Sequence, residues 1–102
     1  MSIELTISHF REYARQVLDE HSGHLKAYNN NSLLHSKLER LKFFNKHLKV
    51  LKKNLNDKAE LLLAEQIGAS YYEELKRNIH SVSIEYIDEY LSIGFSGSDK
   101  HV

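Results

Sequence analysis

Histidine, lysine and tyrosine are the residue types whose spacing offers chemistry in this 102-residue chain. His21 and His24 stand three apart beside Asp19 and Glu20. Two imidazoles at that spacing, with a carboxylate nearby, are how a zinc site begins. They are more readily what an apolar stripe leaves exposed where it ends near Gly23. His9, His35 and His47 would add ligands only if the fold gathered them. The chain has no cysteine, so thiolate chemistry and disulfides are excluded. No complete ligand set is written in the sequence, and neither a metal nor a cofactor is expected.

Lys42, Lys46, Lys49 and Lys53 follow one another at spacings of four, three and four. On a helix they form one stripe opposite the leucines. Such a stripe could track nucleic-acid phosphates, but a solvated outer face is the favoured reading. No arginine, amide or aromatic side chain is interleaved to read or stack on bases. Any nucleic-acid binding would therefore be weak and independent of sequence.

Tyr71, Tyr72, Tyr86 and Tyr90 gather toward the C-terminus. Tyrosine clusters suit protein–protein contacts, and they suit amphipathic packing with the hydroxyls at the edge. For catalysis the sequence offers little. It has no glycine-rich phosphate loop, no paired His–carboxylate motif and no nucleophilic cysteine. Arg77 and His80 are acid–base candidates by residue type alone. The chain reads as a non-enzyme.

Four glycines and no proline leave few breaks for the elements that must position these residues. With 41% apolar and 27% charged residues, the chain falls in the ordinary globular range. Ile3, Ile7, Phe10, Ala14, Val17, His21, His24 and Tyr28 mark one helical face. That helix either ends near His21 or runs through Gly23 to Tyr28. Asn29-Asn30-Asn31-Ser32 reads as a loop, with Asn31 or Ser32 placed to cap the next helix.

Leu34, Leu41, Leu48, Leu55 and Leu62 then recur every seven residues. Phe44 and Leu51 fill the companion row, which Lys37, Lys58 and Glu65 interrupt. Leu38, Val50 and Leu61 widen the face, which favours a multi-helix bundle over a two-stranded zipper. Asp57 and Glu60 resemble a cap, so this helix either continues to about residue 67 or breaks at 55–57. Gly68 is placed as a stop, and Ser70 with Glu73 as a capping box for the last helix. Tyr72, Leu75, Ile79, Val82, Tyr86 and Ile93 form that helix's main stripe. Ile84, Ile87 and Leu91 form a second, so it is apolar on two sides. Gly94 is expected to end it.

The expected fold is all-α: an antiparallel three- or four-helix bundle with a long central leucine-heptad helix. Residues 1–94 form one domain and residues 95–102 a flexible tail. With turns near residues 30 and 69, the three helices are expected to overlap fully only around residues 45–58. Apolar surface at both ends is then left uncovered, which calls for a partner.

Net charge is zero, but residues 36–58 carry eight basic and two acidic side chains, and residues 59–102 three basic and eight acidic. An antiparallel last helix would set Lys49, Lys52 and Lys53 level with Glu85, Asp88 and Glu89. The expected function is a non-enzymatic interaction module, a small regulator, inhibitor or adaptor. Its partner is another protein, and a second copy of the chain is an option. The expected interface is Tyr71, Tyr86, Tyr90 and Leu91, rimmed by Glu85, Asp88 and Glu89. The alternative is nucleic acid on the lysine stripe. The longest apolar run, Leu61–Ala64, is far too short to span a membrane. The first residues lack the character of a signal peptide, so the expected location is cytoplasmic.

Overall fold

The 3.6-residue period of the first segment yields one helix, α1 (Ile3–Asn29), in a computed structural model that describes residues 3–30 and 34–99, with side chains as far as residue 94. Phe10, Ala14, Val17, Leu18, His21 and Leu25 are its buried face. The helix runs straight through Gly23. Once a helix is nucleated, the ~1 kcal/mol a glycine costs is met by the turns on either side. The stripe ends on Leu25, and His24 is exposed.

The second helix, α2 (Lys37–Ala64), opens on a reciprocal capping box. The Ser36 hydroxyl accepts the Glu39 N–H at 3.1 Å, and the Glu39 carboxylate accepts the Ser36 N–H at 2.8 Å. Those bonds hold the Glu39 carboxyl below the usual range. The cap is therefore Ser36; Asn31 and Ser32 lie outside the described residues. Through 54–57 the helix is continuous. Lys53 donates to Asp57 at 2.8 Å and Asn56 to Glu60 at 3.3 Å. These one-turn pairs support the helix across the doubtful stretch, so Asp57 and Glu60 start nothing new. After Ala64 the chain turns through Gly68, whose φ of 90° is open to glycine at no steric cost. The Tyr71 hydroxyl donates to Gln66 across that turn at 2.7 Å.

The third helix, α3 (Tyr72–Asp99), buries Leu75, Ile79, Val82, Tyr86 and Tyr90. It does not stop at Gly94. The Phe44 ring occupies the place a side chain at 94 would take, so this glycine is a packing notch in a continuing helix. Of the expected tail, 95–99 belong to α3, and 100–102 lie outside the described residues.

The three helices, of 27, 28 and 28 residues, each pack on the other two. Among the described residues there is no strand. Between α1 and α2, Tyr28 stacks on Phe43, His21 meets His47, and Lys58 lies over Tyr13. Between α1 and α3, Arg11 meets Glu85 and Arg15 meets Glu89, both 74 residues apart. Between α2 and α3, Phe44 stacks on Tyr90. Overlap is thus not confined to residues 45–58. Large apolar side chains are nevertheless exposed toward both ends of α2, Leu38 and Leu41 at one and Leu61 and Ile67 at the other, and the molecule measures 54 × 21 × 17 Å.

The leucine heptad enters this core only in part. Leu55 is 1% exposed, Leu48 and Leu62 are half-buried, and Leu41 is 54% exposed. A straight α-helix drifts about 20° per heptad relative to a seven-residue repeat. Two heptads back from Leu55, the leucine has therefore turned about 40° away from the core. Leu34, before the helix begins, is 76% exposed. Leu51, from the companion row, is fully buried in its place.

Candidate functional site

The second apolar stripe of α3 finds only half a neighbour. Its main stripe faces both other helices, while Ile84 and Ile87 look along the outer side of α2. Between α2 and α3 this leaves a groove of about 700 Å³ to which α1 contributes nothing. Leu55, Ala59 and Leu63 wall it from α2, and Ile79, Ser83 and Ile87 from α3. Ile67 closes one end and is 74% exposed; Ile84, on the far wall, is 45% exposed. Lys52, Lys76 and His80 lie along it, with Glu60 as its one acid. Leu38 and Leu41, at helical spacing on the same side of α2, extend the apolar flank toward the start of that helix.

The residues expected to form the interface are divided by the fold. Tyr86 and Tyr90 are core residues, 7% and 0% exposed. Tyr90 belongs to the main stripe at spacings of four, three, four and four from Leu75 onward, so its ring points inward. Its hydroxyl donates to the Phe44 carbonyl at 2.9 Å, and burial pushes it up to about 12. Neither tyrosine is within a partner's reach on this fold. Tyr71 and Leu91 are half-buried and Asp88 is exposed.

Glu85 and Glu89 do have cationic partners, but these come from α1. Arg11 Nη1 lies 3.2 Å from Glu85, and Arg15 grips Glu89 with both nitrogens, at 2.6 and 3.2 Å. Each carboxylate raises the pKa of its arginine through the hydrogen bond. Arg15 also lies over the Tyr86 ring at 4.9 Å. The lysines of α2 do not fill this role. Lys53 turns to Asp57 of its own helix, and Lys42, Lys46 and Lys49 are exposed on the outer face with it. Arg77 is exposed, and His80 reaches only the groove.

Histidine is the type the fold does gather. His21 Nδ1 and His47 Nδ1 approach to 2.7 Å where α1 packs on α2. His24 stacks on His47 with ring centres 5.7 Å apart, and Phe43 flanks His47 at 4.4 Å. Tyr28 lies flat between His35 and Phe43, 3.9 Å from each. The result is a continuous column of rings at the end of the α1–α2 pair. Among the described residues, no group of three or more His, Asp or Glu side chains is arranged to hold a metal ion. No described helix is long and apolar enough to cross a membrane.

The sequence pairs His21 with His24 and offers His47 only as one of three histidines for the fold to gather; the close contact is with His47. His47 belongs to the same helix as the lysine stripe, and only the register of α1 on α2 brings it in. The groove had one legible signal, the second stripe of α3. Its cations, Lys52 and Lys76, had none. The chain matches no family model, no curated relative and no solved structure.

Proposed function

We propose that the chain is a non-enzymatic interaction module whose α2–α3 groove receives an amphipathic helix of another protein. The architecture that suits this is an antiparallel, up-down-up bundle with α2 as the shared wall. The observation that carries the reading is the groove itself: an open, largely apolar trough beside exposed Ile84 and Ile67. From Tyr72 to Ile87 it runs for sixteen residues of helix, about 22 Å from first Cα to last, or four turns of a bound helix. Apolar anchors one turn apart are how helices seat in such grooves.

Charge selects the occupant. Lys52 and Lys76 oppose a single Glu60, so a helix with acidic flanks is favoured. A two-fold contact between copies would set each groove's net positive charge against its equal. That argues for a foreign helix over a second copy. Nucleic acid on Lys42, Lys46, Lys49 and Lys53 is the competing reading, and no observation beyond their exposure favours it.

A fluorescent sixteen-residue amphipathic peptide with leucine anchors and glutamate flanks tests the reading, beside the same peptide with lysine flanks. The acidic peptide is expected to bind at least tenfold more tightly, and Ile84→Glu to abolish its binding in a chain that stays monomeric by light scattering. Equal binding of the two peptides, dimerisation through the Ile84 face, or retention of duplex DNA through the lysine stripe would overturn it.

A further inference from the structure

We infer that His21 and His47 form an acid-sensitive latch, joined by one shared proton, that fastens α1 to the first half of α2 and opens when both rings are protonated.

The geometry allows few protonation states. A hydrogen bond between two Nδ1 atoms at 2.7 Å needs one donor and one lone pair. In the neutral pair one ring carries its proton on Nδ1 and the other on Nε2. Adding one proton, to the Nε2 of the donor ring, leaves the bond intact, because an imidazolium still donates through Nδ1. Adding a second removes the acceptor. Two N–H groups then point at each other, each on a positive ring. Turning one ring over in its own plane would part the two N–H groups, but it gives up the hydrogen bond and leaves two positive rings packed together among Phe43 and His24, with His21 only 8% exposed.

The surroundings act in the same direction. Burial is the first cause lowering both histidines, and His24 pushes each further down. His21 and Lys46 also act against charge on His47. Glu20 alone opposes them. All of these groups come from α1 and α2; among the described residues, α3 contributes no ionisable group to either ring. A metal is a poorer occupant, since the pair lacks a third ligand. The latch lies on the α1–α2 side of the molecule, and no residue of it lines the groove.

The sign follows from linkage. A histidine whose folded pKa is lowered binds its proton more readily in the unfolded chain. The stability of the latched state is therefore complete above the unfolded value of 6.5 and is lost as pH falls from there through the folded values. Each unit of depression lowers the folding equilibrium constant about tenfold.

The test is urea unfolding of the full chain between pH 7.5 and 5, together with an NMR titration of the imidazoles (both pH limits are roughly one to one and a half units from the free-histidine value). His47→Asn is the comparison, because its amide stands where Nδ1 stood and does not titrate. The wild-type folding constant should fall at least about tenfold more than that of the variant. His21 and His47 should titrate together, below the free-histidine value of 6.5. Equal acid sensitivity in both chains, or independent titration of His21 and His47 at the ordinary value, overturns the latch. If His47→Asn does not fold, the wild-type titration alone decides.

Discussion

Phe44 lays its ring directly over the bare backbone of Gly94, and Tyr90 closes the same contact by stacking on Phe44 at 4.9 Å. A methyl at position 94 would fall within the ring. On helix propensity alone, Gly94→Ala should gain about 1 kcal/mol. Overpacking a filled site costs about 1–3 kcal/mol, and here the intruding atom meets a ring pinned by Tyr90. The variant is therefore expected to be destabilised, by up to roughly 2 kcal/mol net of those two effects. Urea denaturation should show a lower midpoint at unchanged slope.

Gly23 is the opposite case. It lies mid-helix in α1, exposed, with open space where a side chain would go. Gly23→Ala is expected to stabilise by about 0.5–1 kcal/mol, through propensity and a less flexible unfolded chain. The same denaturation experiment reads it as a raised midpoint. The pair separates a glycine kept for packing from one that packing does not require.

That contrast shows what the sequence made legible. Three helical segments and the turn at Gly68 follow from apolar periodicity and the few breakers, whereas the continuity of α1 through Gly23 and of α2 through 55–57, and so the choice of three helices over four, did not. Gly94 looked like Gly68, a stop, because sequence shows a glycine and not the ring that will fill its space. Likewise the heptad leucines announced a core, but which of them enter it depends on where each falls around the helix. Leu55 enters it; Leu41, two heptads earlier, does not. The candidate site was legible in the same measure. Ile84 and Ile87 stood out as surplus apolar surface, whereas Tyr86, already on the main stripe, and Tyr90, which continues its spacing but was left off it, are core residues and not interface. Charge blocks suggested that α2 would meet the acids of α3. Two arginines of α1 do so instead, since the constant offset of 74 brings both into line.

The Arg15–Glu89 pair is bidentate, yet its side chains are 47% and 42% exposed. Solvent screening limits such a pair to about 1 kcal/mol at most. Arg15 adds a contact with the Tyr86 ring, worth about 0.5–1 kcal/mol at an exposed site. Arg15→Gln is therefore expected to cost about 1 kcal/mol at low ionic strength, and less in high salt. Unfolding curves at two salt concentrations check it. A loss unchanged by salt would assign the effect to the ring contact and not to the carboxylate.

Tyr90 offers a test at the alkaline end. Its hydroxyl donates to the Phe44 carbonyl, which as a helix residue keeps its own intrahelical bond. Tyr90→Phe removes the donor without orphaning a buried acceptor, so the expected cost is about 0.5–1.5 kcal/mol. The wild-type phenol gains sensitivity to base. Burial raises its pKa from 10.0 to about 12, so the unfolded chain loses this proton first. The contribution of a buried neutral phenol is complete below the unfolded value of 10.0 and is lost as pH rises toward the folded one. Melting temperature should consequently fall more steeply between these two pH values in the wild type than in Tyr90→Phe. Parallel curves would mean that the ring is hydrated in solution and that the contact between Phe44 and Tyr90 is looser than a hydrogen bond at 2.9 Å requires.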